Sequence, residues 1–155
     1  MREGDIWNLY RKSNPCASAY QAWAFCGGGP LADKLADLVV RGIKTATSSA
    51  HPLYVIEGEP LPSRGDLCVI LRDDGEAACI IRITDVRVCH FWEVDDEHAF
   101  REGEGDRSLR YWRQVHQEFF AAELAEHGIP FGEDMMVVCE TFRVEFLPES
   151  ASSRP

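Results

Sequence analysis

The sequence predicts an α+β fold. Helical spacing of apolar residues runs through residues 1–41, β-type composition takes over from Asp66, and one long amphipathic helix precedes a last strand. Residues 5–12 are expected to be helical, with Ile6, Trp7, Leu9 and Tyr10 as their apolar positions. Residues 18–25, carrying Tyr20, Trp23 and Phe25, are read the same way, with Pro15 as the break between the two. A third helix is expected over 30–41. Pro30 suits a first turn, Leu31, Leu35, Leu38 and Val39 supply the apolar face, and Gly42 stands where a left-handed terminating residue is wanted. His51 to Glu57 reads as a short helix before the turn Pro60-Leu61-Pro62.

The strands follow. Leu67-Cys68-Val69-Ile70-Leu71 is a continuous apolar run, Asp73-Asp74-Gly75 is a hairpin signal, and residues 77–88 resume β-type composition. Imperfect alternation there predicts a sheet that is curved or buried on both faces at one end. Residues 135–146 form the expected last strand. The long helix is expected over 108–127, with Leu109, Trp112, Val115, Phe119, Phe120 and Leu124 on one broad face. Asp106 or Ser108 can cap its start, and Gly128 followed by Pro130 ends it.

A chain of 155 residues, 45% hydrophobic and 27% charged, is expected to form a single domain over 1–147, with a disordered tail at 148–155. No apolar run approaches the ~20 residues of a membrane helix. The first residues lack the apolar stretch of a secretory signal, so a cytoplasmic protein is expected, without membrane partners. The formal net charge of −10 argues against a protein that grips duplex DNA through phosphates. Nucleic acid would instead be met through a small local pocket, and Arg101, Arg107, Arg110 and Arg113 crowd into one short region. They serve equally well as partners for neighbouring glutamates on a solvated helix. Cys16, Cys26, Cys68, Cys79, Cys89 and Cys139 contain no C-x-x-C pair, so neither a structural zinc site nor a disulfide framework is expected. No cofactor is expected.

Two polar stretches stand out. Gly42-Ile43-Lys44-Thr45-Ala46-Thr47-Ser48-Ser49 presents an ammonium and several hydroxyls just after a helix, the parts of phosphate pockets and activated nucleophiles. An exposed turn has the same composition. The second, from Glu97 to Ser108, places acids, two glycines and two arginines before the long helix, where free N–H groups favour an anion. Glu102 there suits a positioned acid or base, and an acidic capping loop in solvent is the plainer reading. His98 and Glu102 are four apart, a spacing that can share a helix face, but no third ligand is evident and no metal site is predicted.

Three blocks carry a resemblance. Gly42-Ile43-Lys44-Thr45-Ala46-Thr47 resembles the G-x-K-x-x-(T/E) signature of the ASCH superfamily, whose fold is similar to the PUA β-barrel. Glu102 to Leu109 with Tyr111-Trp112, and Glu133 to Glu140, resemble two further blocks of a bacterial branch, and the similarity spans residues 18–147. The resemblance implies a partly closed PUA-like β-barrel with N-terminal helices packed on it, a lysine-bearing cleft, and a role in RNA metabolism. A related small branch is similar to an amidohydrolase of N4-acetylcytidine that uses a lysine, a threonine and a downstream glutamate. Carried over, these are Lys44, Thr47 and Glu102, with Glu104 a near competitor. That branch has an arginine where this chain has Ser49.

The expected site is therefore catalytic Lys44, Thr47 and Glu102, with Thr45, Ser48, Ser49, Arg107, Ser108 and Tyr111 touching substrate. In that reading Lys44, low in proton affinity, activates the Thr47 hydroxyl, and Glu102 protonates the leaving amine or holds the lysine. Lys44 and Thr47 would point oppositely on a regular strand, so a turn or bulge is required between them. The expected substrate is single-stranded RNA or a nucleoside or nucleotide, hydrolysed by an amidohydrolase or a ribonuclease. Non-catalytic nucleotide binding, or an acidic surface meeting a basic partner, are the alternatives.

Overall fold

The computed structural model describes residues 1–148; apart from Pro148, the expected tail lies outside the described residues. The architecture is mixed α+β. In chain order the elements are α1 (Glu3–Ser13), β1 (Gln21–Trp23), α2 (Pro30–Val40), β2 (Ala46–Ala50), α3 (His51–Glu57), β3 (Leu67–Leu71), β4 (Ala77–His90), α4 (Asp96–Glu102), α5 (Leu109–Ala125) and β5 (Met136–Phe146). The five strands are ordered β1-β3-β4-β5-β2. No helix among the described residues is long and apolar enough to cross a membrane.

The chain forms two compact units. Among the described residues the first comprises 1–43, 64–84 and 142–148. Here β3 pairs antiparallel with β4 from Leu67↔Arg82 to Leu71↔Ala77, and β1 pairs parallel with β3 from Gln21↔Cys68 to Trp23↔Ile70. Its core joins Ile6, Trp7 and Tyr10 of α1 to Leu67, Val69, Ala77 and Ile80. Beside that core, Arg82 donates to Oε1 of Glu145 at 3.1 Å, and so does the Tyr10 hydroxyl at the same distance. A hollow of about 680 Å³ lies here, with Tyr10, Tyr20, Asp66 and Arg82 in its lining.

Two expectations in this unit are corrected. Residues 18–25 are not a helix: Gln21–Trp23 is a strand and Phe25–Gly27 a 3-10 turn. Pairing with β3 gives the backbone of this segment its partners, and that tertiary pairing overrides the apolar spacing. In α2 the buried stripe is Ala32, Leu35, Ala36 and Val39, while Leu31 is exposed. The i, i+3, i+4, i+7 spacing runs through two alanines, and Leu31 lies off that stripe.

The second unit comprises Lys44–Ser63 and Asp85–Thr141. β2 pairs antiparallel with β5 from Ala46↔Thr141 to Ala50↔Val137. Its core gathers Trp112, Phe120 and Leu124 of α5 with Phe91, Val94, Ala99, Val137 and Cys139. Helix α4 was not expected, because residues from Glu97 read as a loop. It is short, and its cap lies outside that stretch: the Asp95 carboxylate accepts from the His98 N–H at 2.9 Å. Gly103, with φ +73, closes it. None of the six cysteines forms a disulfide, and Cys68, Cys79, Cys89 and Cys139 are buried. Burial pushes the Cys79 thiol up to about 12, so it stays protonated and behaves as a small hydrophobe.

Candidate functional site

Gly42, with φ +76, ends α2: its N–H reaches the Val39 carbonyl at 2.9 Å, and the Ile43 N–H reaches that of Leu38 at 2.9 Å. Lys44 follows, two residues ahead of β2, so it is free of strand alternation. Thr45 then donates its N–H to the Arg101 carbonyl at 2.7 Å, and its hydroxyl points to the same oxygen at 3.4 Å. These bonds tie the start of β2 to the last turn of α4.

The lysine enters the unit's interior and is 1% exposed. Its Nζ donates to Oε1 of Glu102 at 3.2 Å, to Oε2 of Glu104 at 3.0 Å and to the Glu102 carbonyl at 3.4 Å. Glu102, the last residue of α4, is ringed by donors. Its Oε2 accepts from the Ser48 hydroxyl at 2.5 Å, the Trp112 indole at 2.5 Å and lies 2.9 Å from Nε2 of His98. Oε1 adds Nε2 of His116 at 3.4 Å. The Trp112 and His116 rings stack at 4.3 Å, which fixes the imidazole against the carboxylate.

The electrostatics bear on the roles expected of Lys44 and Glu102. Burial alone would lower the Lys44 pKa, but the Glu102 and Glu104 carboxylates outweigh it and raise the pKa above the ordinary lysine value. Burial would likewise raise Glu102, but Lys44 first, then His116 and His98, hold it well below the usual carboxylate range. These shifts favour Lys44 as a held cation over a base, and Glu102 as an ionised acceptor that holds the lysine, the second of its two expected roles. For His116, burial lowers the pKa but Glu102 overcomes it, so the imidazole gains protons more readily than usual.

The expected residues divide accordingly. Lys44, Glu102 and Ser48 come together, and Glu104 joins them. Thr47 does not: it pairs with Glu140 in register, and alternation puts it with Ser49 on the strand face opposite Ser48. The Ser49 hydroxyl instead meets that of Tyr54 at 2.7 Å. Arg107 lies over Phe100, with its guanidinium carbon 3.7 Å from the ring centroid. Ser108 caps α5 by accepting from the Tyr111 N–H at 3.1 Å, and the Tyr111 ring sits so close to Gly105 that a Cβ there would meet it at 2.5 Å. Missed were His116 and Trp112. The signal for His116 was a lone imidazole inside the i, i+4 stripe Trp112, Phe120, Leu124, where a buried polar ring needs a partner.

Glu102, Glu104 and His116 offer ligand atoms within 4.8 Å of one another. The Lys44 ammonium already stands against both carboxylates and supplies their counter-charge. A divalent ion fits this trio only with Lys44 withdrawn.

Residues 21–145 match the family model described as ASCH domain. The chain belongs to the ASCH domain family. A crystal structure of an ASCH domain from Lactobacillus crispatus JV V101 is 38% identical in sequence, with a TM-score of 0.85, covering 91% of this chain and 92% of that one. A crystal structure of protein EF3133 from Enterococcus faecalis V583 is 31% identical, with a TM-score of 0.88 and coverage of 97% and 92% respectively. No curated protein matches the sequence. The five-stranded half-barrel sheet with its helices is accordingly the PUA-like fold that the ASCH blocks implied.

Proposed function

We propose that this ASCH protein binds single-stranded RNA or a nucleotide, stacking a base on the surface made by α4, the 103–108 loop and the start of α5. The observation that carries this reading is Phe100, a residue 54% exposed, with the Arg107 guanidinium covering one side of its ring. Arg107 adopts a φ of +64, uncommon without glycine, and its Nε donates to the Phe100 carbonyl at 3.0 Å. An aromatic ring and a guanidinium plane held together outside the core suit an unstacked base. Tyr111 supplies a second exposed ring. Residues 107–113 hold Arg107, Arg110 and Arg113 and no acid, a local cationic stretch in a chain of net charge −10. That balance favours a short strand or one nucleotide over a duplex. The ASCH family's link to RNA metabolism supports the same ligand class.

A hydrolytic reading keeps the site and moves the nucleophile from Thr47 to Ser48. The observation favouring it is the Ser48 hydroxyl, 2.7 Å from Nε2 of His98 and 2.5 Å from Oε2 of Glu102. In that reading Glu102, the ionised acceptor of the Ser48 hydroxyl, takes its proton, and His98 and Lys44 hold the carboxylate in place.

Titration with a short single-stranded RNA tests the binding reading. Phe100→Ala and Arg107→Ala are each expected to weaken it roughly tenfold, the scale of one lost stacking contact. Unchanged affinity in both variants removes the platform. Mass analysis of the same mixtures, and of acylated cytidines, checks hydrolysis: product formed by the native chain and lost in Ser48→Ala supports it, and no product leaves a binding protein.

A further inference from the structure

The two carboxylates on Lys44 are not equivalent. Glu102 is built in, with its side chain 2% exposed and donors on both oxygens. Glu104 is 17% exposed, and among the described residues its one side-chain hydrogen bond is to Lys44. It stands between Gly103 and Gly105, with φ of +73 and +59, in a loop fixed at both ends. Gly103 closes α4 through its N–H to the Phe100 carbonyl at 3.1 Å, and the capped Ser108 opens α5. A residue between two left-handed glycines can change direction without moving either helix.

We propose that the Glu104 carboxylate occupies the phosphate subsite of this protein, and that a ligand phosphate takes the place by displacing Glu104 into solvent. The inference rests on the nucleotide reading above and names the part of the ligand that enters the interior. Charge supports it. With Glu104 in place, Lys44 and His116 face two carboxylates, Glu102 and Glu104. With Glu104 turned out, Lys44 and His116 face Glu102 alone, and the position beside Lys44 Nζ that the Glu104 carboxylate held is left to an anion. A phosphate brings more charge and more acceptor oxygens than the carboxylate it replaces, so it can engage Lys44 Nζ and His116 Nε2 together. The competitor is tethered, however, and a tethered group acts at an effective concentration of roughly millimolar or more. Free inorganic phosphate is therefore expected to bind weakly, and a nucleotide, held also by its base on Phe100 and Arg107, more tightly.

The test uses the full chain and three probes: adenosine, adenosine 5′-monophosphate and inorganic phosphate at constant ionic strength. In Glu104→Gln, which keeps the side-chain shape and removes its charge, the monophosphate is expected to bind roughly tenfold more tightly, with adenosine affinity unchanged. Glu104→Asp, one methylene shorter and unable to reach Lys44, is expected to act in the same direction. A thermal melt of each variant confirms that it is folded. A monophosphate-to-adenosine ratio equal in native and variant proteins, or lower in the variants, overturns the proposal. If neither nucleoside nor nucleotide binds any form, the base-stacking reading fails, and inorganic phosphate then decides the subsite alone. A shift of the Lys44 ammonium NMR signal with phosphate in Glu104→Gln, larger than in the native chain, supports it. No such shift overturns it.

Discussion

A buried lysine is costly unless its partners are built for it, and here the partners explain both the position and the chemistry of Lys44. Removing one member of such a pair leaves an uncompensated charge in the interior, at a cost of about 3 kcal/mol or more. Glu102→Gln is therefore expected to lower unfolding stability by about that amount, measured by denaturant titration, and Lys44→Met by a similar amount, because it leaves Glu102 beside Glu104 without their shared cation. The double variant is expected to lose less than the sum of the two singles, since each change relieves the charge the other exposes. Additive losses would mean the pair is not coupled. At this scale the sequence was informative about which groups meet and about one of the two roles expected of Glu102, holding the lysine. Lys44 and Glu102 were legible from the family blocks. Their protonation states were not, because these depend on Glu104, His98 and His116 converging from α4, the following loop and α5. Thr47 was misplaced for a simpler reason: β2 begins at Ala46, so regular alternation sends Ser48, not Thr47, toward Glu102.

At the scale of elements, the long or strongly marked segments were readable and the short ones were not. α3, β3 and β5 fall where composition put them, and α2 stops at the glycine that suits a left-handed end. β1 has three residues, and α4, equal in length to α3, has only Ala99 and Phe100 as apolar positions, so neither shows a period, and each is held by partners elsewhere in its own unit. Helix α5 carries two jobs, since its stripe of Trp112, His116, Phe120 and Leu124 serves the core and two of those rings also hold Glu102. Its start is fixed by the Ser108 cap, with the Ser108 N–H in turn bound by Asp106 at 2.9 Å. Ser108→Ala is expected to lower stability by about 1 kcal/mol, read from the denaturation midpoint. Nucleotide binding should weaken with it, because the 103–108 loop loses its anchor at α5. A variant equally stable and equally active would show that the loop is held by Tyr111 and Arg107 alone.

Over the whole molecule, each unit carries one polar anchor next to its own core, and the two anchors make stability depend on pH in a defined way. In the first unit the hydrogen bond from Arg82 holds the Glu145 pKa below the usual carboxylate range, and in the second Lys44 and its neighbours do so for Glu102. A depressed carboxylate stabilises the fold above its unfolded value of about 4.3 and loses that contribution as pH falls through the folded one. His116 works at the other end. Its folded pKa is raised, chiefly by Glu102 against the effect of burial, so its contribution is complete below about 6.5 and is lost as pH rises past the folded value. Stability is therefore expected to fall both below about pH 4 and on going from pH 6 to pH 9. Urea melts across that range check it. His116→Gln keeps a donor for Glu102 but cannot titrate, so the decline on the alkaline side should vanish while the acid side remains. A native chain whose stability is flat from pH 6 to pH 9, or a variant that keeps the decline, would mean that His116 does not carry a proton in the folded network. The positive charge left facing an incoming phosphate would then come from Lys44 alone.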